Sequence, residues 1–145
     1  MTSNNYDPNY SGEKNYVRLG QKAIVLNKLN DILLLQRSEK AGSGGKWSLP
    51  GGGLDKDEEP VSSISREIEE EASIRVSNLR PFSVKSYISE GDRIVIMGYI
   101  CICVSADVEL NWEHDQYKWV PYKDIFTFDL IEDALYFLEE VKYLL

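Results

Sequence analysis

The chain has 145 residues, enough for one domain with a buried core, and its 43% hydrophobic and 28% charged content is that of an ordinary soluble protein. Its 24 acids and 16 bases give a formal net charge of −8. An acidic chain without a basic stripe is repelled by a phosphate backbone, and no apolar run approaches the ~20 residues that cross a bilayer, so neither a nucleic acid polymer nor a membrane is an expected partner.

The charge is concentrated. Residues 55–71 hold eight acids (Asp55, Asp57, Glu58, Glu59, Glu67, Glu69, Glu70, Glu71) against Lys56 and Arg66, a local net of −6. Residues 1–14 are polar, with turn formers at Asp7-Pro8 and Ser11-Gly12, and read as a flexible N-terminal tail. Residues 15–145 then form a single domain. No signal peptide opens the chain. Cys101 and Cys103, two apart in an apolar run, would share one face of a strand, where a disulfide is strained. Reduced core thiols and a cytoplasmic location are therefore expected.

Short apolar runs at 23–27 and 32–36, split by Lys28-Leu29-Asn30-Asp31, predict a hairpin. A flexible loop over 41–45 precedes a short apolar piece, Trp47-Ser48-Leu49, which the run Pro50-Gly51-Gly52-Gly53 breaks. Pro60 suits the first turn of a helix, and residues 61–72 carry Ile64, Ile68 and Ala72 at helical spacing. A second hairpin joins 82–89 to 93–104 through Glu90-Gly91-Asp92; its return strand is apolar on both faces and reads as central. Residues 117–121 suggest another strand. A closing amphipathic helix, N-capped by Asp129, would face Ile131, Ala134, Leu135, Leu138, Val141 and Leu145 inward. Strands, helix, strands, helix in one domain imply an α/β fold with a mixed β-sheet sandwiched between helices.

On a helix, Glu67, Glu70 and Glu71 stand at i, i+3 and i+4, so three carboxylates share one face. Their mutual repulsion reverses sign around a hard divalent cation such as Mg²⁺ or Mn²⁺, which prefers oxygen ligands. One histidine and two strand cysteines argue against zinc. A solvated acidic face is the competing reading. Glycines at 51–53 favour the metal, because a backbone carbonyl can approach an ion where no side chain intervenes.

Gly52, Glu58 six positions on, and Arg66-Glu67-Ile68-Glu69-Glu70-Glu71-Ala72-Ser73-Ile74 together resemble the Nudix box of the Nudix hydrolases, every specified position matching except Ser73, where the family has glycine. Flanking similarity extends over about residues 17–145, through Leu33-Leu34-Leu35-Gln36-Arg37, the 45–52 segment and Trp119-Val120. The resemblance implies a Nudix-type α/β/α sandwich that hydrolyses a pyrophosphate linkage in a nucleoside diphosphate derivative. It implies Mg²⁺, with Mn²⁺ as substitute, held by Glu67, Glu70, Glu71 and the Gly51 carbonyl. Arg66 and Glu58 would form an ion pair that orients these carboxylates, with Gly52 in a supporting role. Serine at the glycine position of the helix end should cost on the order of 1 kcal/mol and remove no ligand.

Some relatives recruit a further carboxylate ahead of the last core strand. Glu113 fills that position as metal ligand or general base, with Asp115 as its rival and His114 as a weaker base candidate; the base is Glu67 or Glu113. Arg37 and Lys46 flank the glycine-rich loop and are the candidates for substrate phosphate. Tyr87, Tyr99 and Trp112 are candidates for base stacking. Relatives that cleave ADP-ribose tend to carry a proline where this chain has Glu90, and those that cleave dinucleoside polyphosphates a tyrosine slightly beyond Tyr87. By elimination a (d)NTP cleaved to NMP and pyrophosphate leads. An ADP-ribose or nucleotide-sugar pyrophosphatase, or a non-catalytic nucleotide-sensing module, is the alternative. A nucleotide is the partner implied, and the family allows a homodimer.

Overall fold

The computed structural model describes residues 7–105 and 107–145; residues 1–6 of the expected tail lie outside it. Among the described residues seven strands form one mixed sheet, with one α-helix on each face. The strands are β1 (Val17–Leu26), β2 (Ile32–Arg37), β3 (Trp47–Ser48), β4 (Gly51–Gly53), β5 (Val76–Ser89), β6 (Asp92–Cys103) and β7 (His114–Val120). The helices are α1 (Pro60–Ala72) and α2 (Glu132–Glu140). The expected helix–sheet–helix sandwich is what forms.

β1 runs parallel to β6 from Val17/Arg93 to Leu26/Ile102, and β6 pairs in turn with the edge strand β5. β6 is thus central, as its two apolar faces predict. β5 begins six residues before the expected Phe82, because residues 76–81 continue the ladder through two register shifts although their polar side chains hide the alternation. The β1–β2 hairpin pairs only at Leu26/Ile32 and then splays. The segment 47–53 fills that splay. β3 pairs with β2, and the chain crosses over so that β4 pairs antiparallel with β1. The triple glycine, expected as a break, is therefore a strand. A Cβ on Gly51 would sit 2.0 Å from the Gln21 carbonyl oxygen, so the glycines serve close backbone approach rather than a turn.

Side chains alternate across the sheet. Ala23, Val25, Leu33, Leu35, Tyr99 and Cys101 pack with Ile64, Ile68 and Ala72 of α1, whereas Ile24, Leu34, Ile96 and Ile100 pack with α2. Ile64 and Ile68 are fully buried, and each such burial contributes roughly 1.5–3 kcal/mol. Both cysteines are buried free thiols, and burial pushes Cys101 up to about 12.

The closing helix departs from expectation in three ways. It starts at Glu132, with Ile131 extended at the cap position; Asp129 instead accepts a backbone hydrogen bond from Trp47 across 2.8 Å, and Leu130 bridges to β3. Its buried stripe is Ala134, Phe137, Leu138 and Val141, while Leu135 is 38% and Leu145 51% exposed. The helix gives way to a tight turn over Val141–Tyr143, so 3.6-residue spacing no longer holds at Leu145. Phe137 seats on Gly98, where a Cβ would come within 2.4 Å of the ring. No helix among the described residues is long and apolar enough to cross a membrane.

Ser73 ends α1 in the left-handed region (φ 58°, ψ 30°) and donates its N–H to the Glu69 carbonyl at 2.8 Å. Its exposed side chain makes no hydrogen bond among the described residues, so Ser73→Gly should raise stability by about 1 kcal/mol in chemical denaturation. Turnover should be unchanged, since the substitution touches none of the carboxylates.

Candidate active site

The box carboxylates occupy the last turns of α1. Helix N-termini favour acids and C-termini disfavour them, yet α1 has no acid in its first turn and no base in its last. Glu70 and Glu71 thus sit where the helix dipole opposes them. The arrangement gives up helix stability to gather negative charge at one place.

Three environments divide these acids. Glu71 is 2% exposed, and its Oε2 accepts the Gly51 N–H at 2.8 Å. Burial pushes its carboxyl up to about 8 against the pull of Lys22 and of the Gly51 N–H; Glu113 and Glu67 add to the rise. Glu67 is raised too, chiefly by desolvation, with Glu70 and Glu113 contributing. Its carboxylate lies over β4, where a Cβ on Gly52 would stand 3.0 Å from it. The Gly52 position thus leaves room for the carboxylate. Glu70 is the outer member: it meets Arg66 Nη1 at 2.8 Å.

Arg66 connects the group. Its Nη2 lies 2.9 Å from Glu58 and 3.4 Å from Glu67. The Asp55 N–H, at 2.9 Å, and Arg66 hold the Glu58 carboxyl below its ordinary range. The expected Arg66–Glu58 pair is present, and Arg66 also takes Glu70, which the box spacing alone did not indicate.

The loop before β7 is tied to the end of α1. Glu109 and Asn111 donate backbone N–H groups to the Ala72 and Glu71 carbonyls at 3.0 and 3.4 Å, and Ser38 donates its N–H to the Glu113 carbonyl at 2.8 Å. Asn111 bonds the Glu113 backbone N–H at 3.1 Å and its carboxylate at 3.3 Å. These ties bring the Glu113 charge close enough to raise Glu67 and Glu71. Asp115 is exposed on β7. His114 is buried, its Nε2 3.5 Å from the Ser48 hydroxyl, and burial with Arg37 and Lys22 nearby lowers it to about 4, so it is neutral at pH 7.

Arg37 donates Nε–H to the Gly42 carbonyl at 2.7 Å and a further N–H to the Ala41 carbonyl. The guanidinium braces the 38–46 loop rather than standing free. Lys46 is exposed on that loop. Among the aromatics, Tyr99 is 2% exposed and packs under α1, which removes it from any stacking surface; Trp112 is 65% exposed, and Tyr87 lies 5.3 Å from Lys85 Nζ. Sequence reasoning missed Lys22. Its Nζ donates to the Leu49 carbonyl at 3.4 Å, and burial lowers its pKa while Glu71 opposes that shift. A lysine at the mouth of the apolar 23–26 run was the available signal.

As placed, no three His, Cys, Asp or Glu side chains among the described residues stand close enough together to hold a metal ion. The donor chemistry nonetheless fits a hard divalent cation. All donors are oxygens, one is a buried carboxylate, and the helix dipole leaves them short of positive charge.

The model of the NUDIX domain family matches residues 18–141. The nucleoside triphosphatase NudI of Klebsiella pneumoniae is 28% identical over 118 residues, covering 74% of this chain and 84% of that protein. A MutT NUDIX hydrolase from Burkholderia pseudomallei superposes with a TM-score of 0.73 at 27% identity, covering 87% of this chain and 98% of that one. A MutT protein from Methanosarcina mazei Go1 gives 0.72 at 29%, covering 92% and 97%.

Glu71 makes the metal-free protein sensitive to pH. Its folded pKa, about 8, lies above the ordinary 4.5, so the folded state keeps a proton that the unfolded chain releases between those values. This contribution to stability is fully present below about pH 4.5 and is lost as pH rises to about 8. With a chelator present, the urea midpoint should fall over that window by more in the wild type than in Glu71→Gln. Parallel profiles would refute the burial of a protonated Glu71.

Proposed function

The chain belongs to the Nudix family, and from that premise we propose that it is a divalent-metal-dependent nucleotide pyrophosphohydrolase, cleaving a nucleoside triphosphate to the monophosphate and pyrophosphate. The observation that carries the reading is the buried Glu71 carboxylate on the Gly51 N–H, with Glu67 beside it over Gly52 and the Glu113 loop tied to the same helix end. The relatives named nucleoside triphosphatase NudI support the choice of substrate.

In this reading Glu67, Glu70, Glu71, Glu113 and the Gly51 carbonyl hold Mg²⁺, or Mn²⁺ in its place. When bound, the divalent cation neutralises charge developing on the phosphate oxygens and lowers the pKa of water. Glu67 or Glu113 takes the proton of the attacking water as its oxygen adds to phosphorus. The phosphoanhydride P–O bond breaks, and its electron pair leaves with pyrophosphate. Arg66 holds Glu58 and Glu70 and so sets the outer wall of the carboxylate group. Lys46 offers positive charge to the polyphosphate from the 38–46 loop, whose shape Arg37 maintains through the Ala41 and Gly42 carbonyls.

A nucleotide panel including ADP-ribose and a nucleotide sugar, assayed with Mg²⁺ and then Mn²⁺ with products identified, tests this directly. Nucleoside triphosphates should give monophosphate and pyrophosphate; preferential cleavage of ADP-ribose would move the substrate to the alternative class. Glu70→Gln should stay folded and lose at least about 100-fold in turnover, the upper end for partners one shell further out. Unchanged hydrolysis in that variant overturns the metal assignment.

A further inference from the structure

The chemistry above leaves one buried polar side chain without a task. Gln21 is 1% exposed, and neither its Nε2 nor its Oε1 has a hydrogen-bond partner among the described residues. On the facing helix Ser63 is also 1% exposed; its hydroxyl makes no full hydrogen bond, although it lies near enough to Glu58 to help lower that carboxyl. A carboxamide taken from water without compensation is costly, and native interiors rarely keep one. The next positions of β1 on that face, Ala23 and Val25, are apolar members of the core beneath α1. The same core would have accepted a methionine or leucine at position 21.

Register shows what Gln21 faces. It pairs with Gly52 across the β1–β4 ladder, and paired residues point to the same side of a sheet. On that side a Cβ at Gly52 would lie 3.0 Å from the Glu67 carboxylate, so Gln21 rises from the adjacent strand toward the part of α1 that carries Glu67. Ser63 is one turn before Glu67, at i and i+4 on the same helix face. The Glu67 carboxylate has a single donor among the described residues, Arg66 at the long distance of 3.4 Å. A desolvated carboxylate wants N–H donors and a hydroxyl wants an acceptor; a carboxamide between them supplies one of each.

Resting on the assignment of Glu67 to the metal site, we propose that Gln21 is a positioning residue: unpartnered in the metal-free protein, its side chain turns as Glu67 turns to the cation, so that Nε2–H then donates to the Glu67 carboxylate and Oε1 accepts from the Ser63 hydroxyl, fixing that orientation. Gln21 touches neither substrate nor reacting atoms. It acts from beneath the box, from a strand 31 positions before Gly52.

The test is Gln21→Met, which keeps the volume and removes both polar atoms. Mn²⁺ affinity is read by electron paramagnetic resonance titration, kcat and KM are measured separately, and the metal-free protein is melted. Mn²⁺ binding should weaken by about 10- to 100-fold, with kcat falling while the nucleotide KM stays near the wild-type value. The metal-free melting temperature should hold, because the substitution removes a buried polar group from an apolar core. Ser63→Ala should weaken Mn²⁺ in the same direction, and the double variant should lose no more than Gln21→Met alone. Wild-type Mn²⁺ affinity in Gln21→Met overturns the proposal; if that variant does not fold, wild-type affinity in Ser63→Ala overturns it. A wild-type protein that binds no Mn²⁺ overturns the metal assignment itself, a result distinct from equal binding by wild type and variant.

Discussion

The 2.8 Å hydrogen bond from the Gly51 N–H to Glu71 Oε2 is the contact on which the site's geometry depends. It fastens the last turn of α1 to β4, and β4 exists only because the β1–β2 hairpin splays after one pair and leaves β1 an open edge. A side chain at position 51 would drive into the Gln21 carbonyl, and one at 52 would press on the Glu67 carboxylate. Two glycines thus allow the helix carboxylates to come down to the strand. The same descent desolvates Glu71 and, less completely, Glu67.

Burial rather than spacing sets the acids apart. Glu67, Glu70 and Glu71 share a helix face by their i, i+3, i+4 positions, but that face tilts into the sheet. Glu71 is inside, Glu67 half-inside against β4, and Glu70 outside on Arg66. The net charge of −8 is therefore poorly described as a global property. Most of it sits in residues 55–71, where one arginine faces three of the acids and the most buried acid retains its proton to about pH 8 in the metal-free protein. A divalent cation would change that protonation along with the charge, since carboxylate ligands bind it deprotonated.

Much of this was legible in the chain. The apolar stripe Ile64, Ile68, Ala72 defines the inner face of α1, and the two apolar faces of β6 give its central place, because both signals are local periodicities. What was not legible depends on partners distant in sequence. Three glycines in a row carry no side-chain pattern, so β4 shows only when β1 lies beside it. Asp129 has the right chemistry for a cap, but its carbonyl is drawn to Trp47, 82 residues earlier, and the helix starts later. Phe137 replaces Leu135 in the core because Gly98 leaves a hollow on β6 that fits a ring.

The site divides along the same line. Box spacing suffices to find Glu58, Arg66, Glu67, Glu70 and Glu71, because a helix converts fixed intervals into fixed directions. Lys22 and Gln21 lie on β1, a strand that no interval connects to the box, and they reach it from opposite faces of the sheet. Lys22 is on the α2 side, donating to the Leu49 carbonyl and opposing the Glu71 charge; Gln21 is on the α1 side, in register with Gly52. Adjacent residues of a strand cannot share a face, so two polar residues in succession at the start of an apolar run address two different surroundings. Each sits where an apolar residue would pack at lower cost, and each lies at the β4 register that carries the carboxylates. The part of the site outside the box is thus marked in the sequence by misfit, polar side chains at positions the fold buries, and only the sheet register shows what they face.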